Sequence, residues 1–159
     1  MSIRIRLAAA LAAATLLTAG CGNDAQTPPK ITVAAGDAKA NVKPTLYCID
    51  GSAQLADEKS TTSALQVKPD TTVRIDVPDE VAKTGWTIQI WSVNDLPEGA
   101  VPLEQIGNID AGNARSFDGF TTSDAVPDRY FVIVALPEDP KCNAKGSAGL
   151  WTVLLSRVA

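Results

Sequence analysis

Three observations predict an all-β fold. Short stretches of period-two alternation recur between turn residues at intervals of about eight to twelve positions, no stretch of useful length has helical periodicity, and there is no internal repeat; the two cysteines that remain once the one near the start of the chain is set aside add one possible disulfide. Together they specify a two-sheet antiparallel, immunoglobulin-like sandwich with Greek-key links and one disulfide, preceded by a cleaved leader and a short linker. The chain has 159 residues, enough after loss of a leader for one domain with a real core and too few for two. An apolar fraction of 45% excludes a disordered protein.

The leader comprises residues 1–20. Met1 to Arg6 is positive, and Leu7 to Leu17 is an apolar run of 11 residues, too short to span a bilayer as a helix. It ends in Leu16-Leu17-Thr18-Ala19-Gly20-Cys21, which reads as a lipobox, with Thr18 in place of the more usual leucine as a mild departure. Cleavage before Cys21 would leave that residue to carry the acyl chains of a membrane anchor; the alternative is a plain secretory leader cut elsewhere. Residues 21–30 follow as lipidated cysteine and linker, and Gly22 to Lys30, small and polar with a proline pair, has the composition of an exposed spacer that cannot join a core. Fully extended, these nine residues reach about 30 Å. The folded domain is expected over residues 31–159.

Within it, Ile31 to Ala35 is a first strand, Gly36-Asp37 a turn, and Ala40 to Ile49 a second strand interrupted at Pro44, which suits an edge or a bulge. Asp50-Gly51 closes it. Ser52 to Ser63 is polar and reads as a loop, with one helical turn around Leu55 to Glu58 as the alternative. Leu65 to Lys68, the turn Pro69-Asp70 and Thr72 to Val77 predict a strand pair in which Val73, Ile75 and Val77 face the core. Pro78 to Val81 gives a single helical turn. Gly85 to Val93 is a core strand with Trp86, Ile88 and Ile90 alternating with Thr87, Gln89 and Trp91. Asn94 to Gly112 is a long connection with room for one edge strand, Ser116 to Phe120 a further strand. Arg129 to Leu136 and Gly149 to Val158 are the strongest strands and are predicted to be neighbours. Tyr130, just after Pro127-Asp128, stands where immunoglobulin-like folds place a tyrosine corner.

Charge and residue types remove most activities. Loss of Arg4 and Arg6 with the leader takes the net charge from −4 to −6. An acidic surface without basic clusters argues against nucleic acid as a partner and leaves acylation at Cys21 as the membrane attachment. The chain has no histidine. Ser-His-Asp and Cys-His nucleophilic sites, the commonest general base and nearly all mixed-ligand zinc sites go with it. Cys48 and Cys142 allow one pairing, expected to staple the loop after the penultimate strand to the end of the second one; two separate buried thiols are the alternative. No calcium loop or phosphate cradle is visible, so no metal and no cofactor are expected. The paired acids Asp79/Glu80, Glu138/Asp139 and Asp124/Asp128 lie beside proline or glycine in turns, where carboxylates are solvated.

What remains is apolar surface. The last two strands are apolar on both sides: Tyr130, Val132 and Val134 against Phe131 and Ile133, and Leu150 and Leu154 against Trp151, Val153 and Leu155. A sandwich strand needs only one buried face. The second is covered by the long connections, or pairs with another copy, or is open with Trp91, Trp151, Phe131 and Ile133 lining a ligand or partner site. The expected function is a non-enzymatic binding or interaction module, a monomer on the extracytoplasmic face of the membrane, engaging a membrane-protein complex or an apolar or cell-wall ligand. The alternative is a carboxylate-based accessory hydrolase of the envelope.

The segments KITVAAGD (Lys30 to Asp37), VKPTLYC (Val42 to Cys48) and VKPDTTVRIDVPDEV (Val67 to Val81), behind a proline-rich linker and ahead of a tryptophan-containing strand, resemble small actinobacterial lipoproteins of a family catalogued only as a domain of unknown function. The likeness covers most of the mature chain. It implies an exported, membrane-anchored, β-rich domain and supplies no catalytic residue; Tyr47-Cys48 and Cys142 map onto it as a structural bridge.

Overall fold

The computed structural model describes residues 26–56, 62–93, 102–125 and 127–158. The expected leader and lipidation site Cys21, and the parts of the Ser52–Ser63 and Asn94–Gly112 stretches at 57–61 and 94–101, lie outside them. The described residues form eleven strands and one short helix: β1 (Ile31–Ala35), β2 (Ala38–Val42), β3 (Pro44–Ile49), β4 (Ser52–Leu55), β5 (Ser63–Val67), β6 (Thr72–Asp76), α1 (Asp79–Thr84), β7 (Trp86–Ser92), β8 (Glu104–Ile109), β9 (Ser116–Thr121), β10 (Arg129–Ala135) and β11 (Gly149–Arg157).

They make two antiparallel sheets. The first has the order β2-β1-β6-β9, the second β4-β3-β11-β10-β7-β8, and β5 adds to β11 as the one parallel pairing in the latter. The β6–β9 neighbours in one sheet and the β7–β10–β11 succession in the other reproduce the B–E and C–F–G arrangement of an immunoglobulin-like sandwich. Tyr130 completes the likeness. Its ring is fully buried and its hydroxyl donates to the Thr122 carbonyl at 3.1 Å, the tyrosine corner expected from its position. The core between the sheets is aliphatic with two indoles: Ile31, Val33, Val73 and Ile75 from the first sheet meet Trp86, Ile88, Val132, Trp151, Val153 and Leu155 from the second. Alternation along β7 puts Trp86, Ile88 and Ile90 inward, as the sequence indicates.

Four expectations are corrected. Ala40 to Ile49 is two strands and not one, because Pro44 cannot donate to a ladder and the chain crosses there from the first sheet to the second. The stretch read as a loop from Ser52 contains β4, paired with β3 through a turn in which Asp50 (φ 50°) and Gly51 (φ 79°) both take the left-handed conformation of a two-residue hairpin. β5 and β6 do not pair; β5 lies on β11 in one sheet and β6 between β1 and β9 in the other. The turn Pro69-Asp70 therefore links sheets and not hairpin partners. Last, the linker does join the core: Pro29 is buried and its carbonyl accepts a hydrogen bond from the Trp151 indole N–H at 2.9 Å.

Cys48 and Cys142 form a disulfide with their Cα atoms 6.0 Å apart. It fastens the 136–148 connection to the end of β3, where hydrogen bonds reinforce it: Cys48 N–H to Ala148 O at 2.8 Å, Asn143 N–H to Gly51 O at 3.0 Å and Ala53 N–H to Asn143 Oδ1 at 2.7 Å. The approach is so close that a Cβ on Gly51 would sit 2.8 Å from the Lys141 carbonyl oxygen.

Candidate binding face

The two sheets differ on their outer sides. On the first, cross-strand rows read Asn41–Thr32–Asp76 and Lys39–Ala34–Arg74, a polar surface with Arg74 and Asp76 in a 2.9 Å ion pair. On the second, residues directly opposite each other share a face, so register reads out the rows. One row is Leu55–Leu46–Leu150–Ala135–Thr87, from β4 to β7. The next is Thr152–Ile133–Gln89, and the third Ala64–Leu154–Phe131–Trp91. Arg129 and Ser156 stand at the far end. Leu46, Leu150, Leu154, Ile133, Phe131 and Trp91 are all half-buried, and Leu55 is 78% exposed. The partly buried apolar side chains that pack on the core are others, Tyr47, Ile106 and Phe117 among them.

Trp91, Phe131 and Ile133 thus stand together on this face, with the Trp91 indole N–H donating to Gln89 Oε1 at 3.0 Å. Trp151 does not stand with them. It is opposite Val134 in β10, hence on the inner side, fully buried, edge-on to Tyr47 at 5.8 Å between ring centroids and bonded to Pro29. The reason is register: the Tyr130–Val132–Val134 side of β10 faces the core, and Leu155, Val153 and Trp151 are its antiparallel partners. Leu46 and Leu55 extend the face beyond the residues foreseen; reading Ser52 to Ser63 as a loop hid Leu55. The described outer positions from β4 to β7 hold no carboxylate.

Of two depressions at this sheet, the first is lined in part by its outer positions and the second by none of the large apolar side chains of the face. One of about 320 Å³ lies at its β7 corner, between Thr84, Gln89, Asn108, Pro137 and Gly146. The other, about 210 Å³, is at the β3–β4 edge, where Thr27 and Pro28 of the linker meet Pro44 and Ala56 with Lys30 and Lys43 at its rim.

Several titratable groups are engaged in local turns and ion pairs. Asp128 pairs with Arg157, which also donates to the Thr122 and Ala125 carbonyls at 3.0 and 2.8 Å. Asp79 pairs with Arg115, Asp124 accepts from Thr121 N–H at 2.6 Å, and Asp139 from Lys141 N–H at 2.9 Å. Burial, and secondarily Glu80, pushes the Tyr47 phenol up from its ordinary pKa. Among the described residues no three His, Cys, Asp or Glu gather as a metal site, and no helix is long and apolar enough to cross a membrane.

Residues 24–98 match a family described as "Protein of unknown function (DUF2771)". The resemblance to a family of unknown function is thereby shown for the stretch from the linker through β7. That family match includes Cys48, Leu46, Leu55 and Trp91 and ends ahead of Cys142, Phe131 and Leu154. A search of curated proteins and a search of solved structures each return no match.

Proposed function

We propose that the protein is a lipoprotein held on the extracytoplasmic face of the membrane through Cys21, and that it works there as a non-enzymatic interaction module whose contact surface is the outer face of the second sheet. The observation that carries this reading is the contrast between the two outer faces. Seven large apolar side chains stand on one of them, Leu46, Trp91, Phe131, Ile133, Leu150 and Leu154 partly buried and Leu55 exposed, and the area they leave in water is costly and is maintained mainly where something covers it. The acids support the non-enzymatic reading, since Asp79, Asp124, Asp128 and Asp139 each satisfy a local turn or ion pair. The lipobox ending at Cys21 supports the anchor.

Fractionation tests it. The wild-type chain is expected in the membrane pellet, released only by detergent and carrying acyl mass on Cys21; Cys21→Ala should be soluble or retain its leader. Detergent-dependent membrane association of a variant that has lost its leader would sink the reading.

A further inference from the structure

We infer that the surface covered by this apolar face is the lipid bilayer itself, the domain lying with its second sheet against the headgroups and upper acyl chains. The inference rests on the reading of Cys21 as the anchor and adds an orientation to it.

Tether geometry is the first support. Because the Trp151 indole clamps the Pro29 carbonyl, the chain free to extend from Cys21 is far shorter than the whole linker. Residues 22–26 span at most about 17 Å. They join the domain at the Thr27–Pro28–Pro44–Ala56 depression, and Ala56 directly follows Leu55, the most exposed member of the face. The anchor therefore holds one border of the apolar face close to the bilayer.

Charge is the second. On a chain with 18 acidic residues, the described outer positions from β4 to β7 carry none, while Arg129 stands at one end and Lys30 and Lys43 flank the tether. Cations beside an acid-free apolar surface suit anionic headgroups, with lysine stems buried and ammonium groups in water. Trp91 and Phe131 are of the aromatic type that settles at the membrane interface.

Area is the third. Five strands at about 4.8 Å spacing and some six residues along β11 give an apolar face of roughly 400 Å². A stable protein–protein interface needs about 800 Å² per partner, so the face is half of what a second copy or a protein partner requires. A bilayer needs no such area, because the covalent anchor already supplies the high local concentration and a second, weaker contact completes the attachment.

The test uses the mature chain, residues 21–159, with the Cys48–Cys142 bridge intact and the Cys21 thiol coupled to a maleimide lipid in phosphatidylcholine/phosphatidylglycerol vesicles whose acyl chains are brominated. Trp86 and Trp151 are 1% and 0% exposed, so Trp91 is the responsive indole, and Trp91→Phe supplies the background. Trp91 emission is expected to move to the blue and to lose about half or more of its intensity relative to unbrominated vesicles. Ile133→Glu with Leu154→Glu should abolish the quenching while the melting transition persists. Should that pair unfold the domain, Phe131→Ser is expected to reduce the quenching in the same direction. Verified coupling with no bromine quenching above the Trp91→Phe background overturns the inference. So does a blue shift without quenching accompanied by a doubled sedimentation mass, which assigns the face to a second copy. Because the tether is synthetic, absence of acyl mass on the cellular protein would refute the anchor and leave the vesicle result standing.

Discussion

The Tyr130 hydroxyl is buried among Thr122, Arg157 and Asp124, and burial pushes its pKa up to about 12, Arg157 opposing and Asp124 adding to the shift. The neutral phenol is thus favoured by the fold. Its contribution is complete below the unfolded value near 10 and is lost as pH rises from there to about 12. Tyr130→Phe should cost about 1 kcal/mol at neutral pH, since the Thr122 carbonyl keeps its bond from Arg157, and should flatten the pH dependence in that window. Urea titrations of both proteins at pH 9 and above 11 check this, and an identical alkaline loss in the variant would disprove it. The position of Tyr130 was legible because proline, turn and strand onset precede it in order. The side of Trp151 was not, because β11 is apolar on both faces and periodicity alone cannot say which is inner.

At the scale of elements, the 136–148 connection has no regular structure of its own and is held by what it touches: the disulfide, the Gly51 carbonyl and the Ala53 N–H. Replacing Cys48 and Cys142 together by alanine is expected to cost about 3 kcal/mol through the freed unfolded chain, with the far-ultraviolet β signature retained. Amide exchange should rise first at Cys48, Ala53 and Asn143. Uniform acceleration over both sheets would show instead that the bridge supports the whole fold. The cysteine count made this pairing readable. β4 was unreadable for a physical reason: its four residues are polar or small except Leu55, and its pairing with β3 is set by the Asp50-Gly51 hairpin, not by burial. The linker was misjudged on similar grounds, since a proline pair signals exposure unless a distant side chain, here Trp151, claims its carbonyl.

Taken whole, the molecule is a sandwich with one polar and one apolar outer side, and neighbouring residues of β10 report the difference. Val132→Thr places a hydroxyl in the fully buried core and is expected to cost about 2 kcal/mol, whereas Ile133→Thr, half-buried on the outer face, should cost less than about 1 kcal/mol. Equal losses in chemical denaturation would mean that the outer face is packed as a second core. The alternation itself was plain in the sequence, but the allocation of strands to sheets was not, because it depends on partners far away in the chain. β11 shows what that implies for assembly. The last strand is also a central one, with β10 on one side and β3 and β5 on the other, and it supplies the indole that clamps Pro29. A growing chain that has not yet reached Gly149 leaves the β3–β4 hairpin and β5 without the strand that joins them to the rest of the second sheet. Completion of the second sheet waits for β11, and pairings so distant in sequence favour slow folding. The Pro29 carbonyl is thus among the last groups to be fixed, by a residue 122 positions away in the chain.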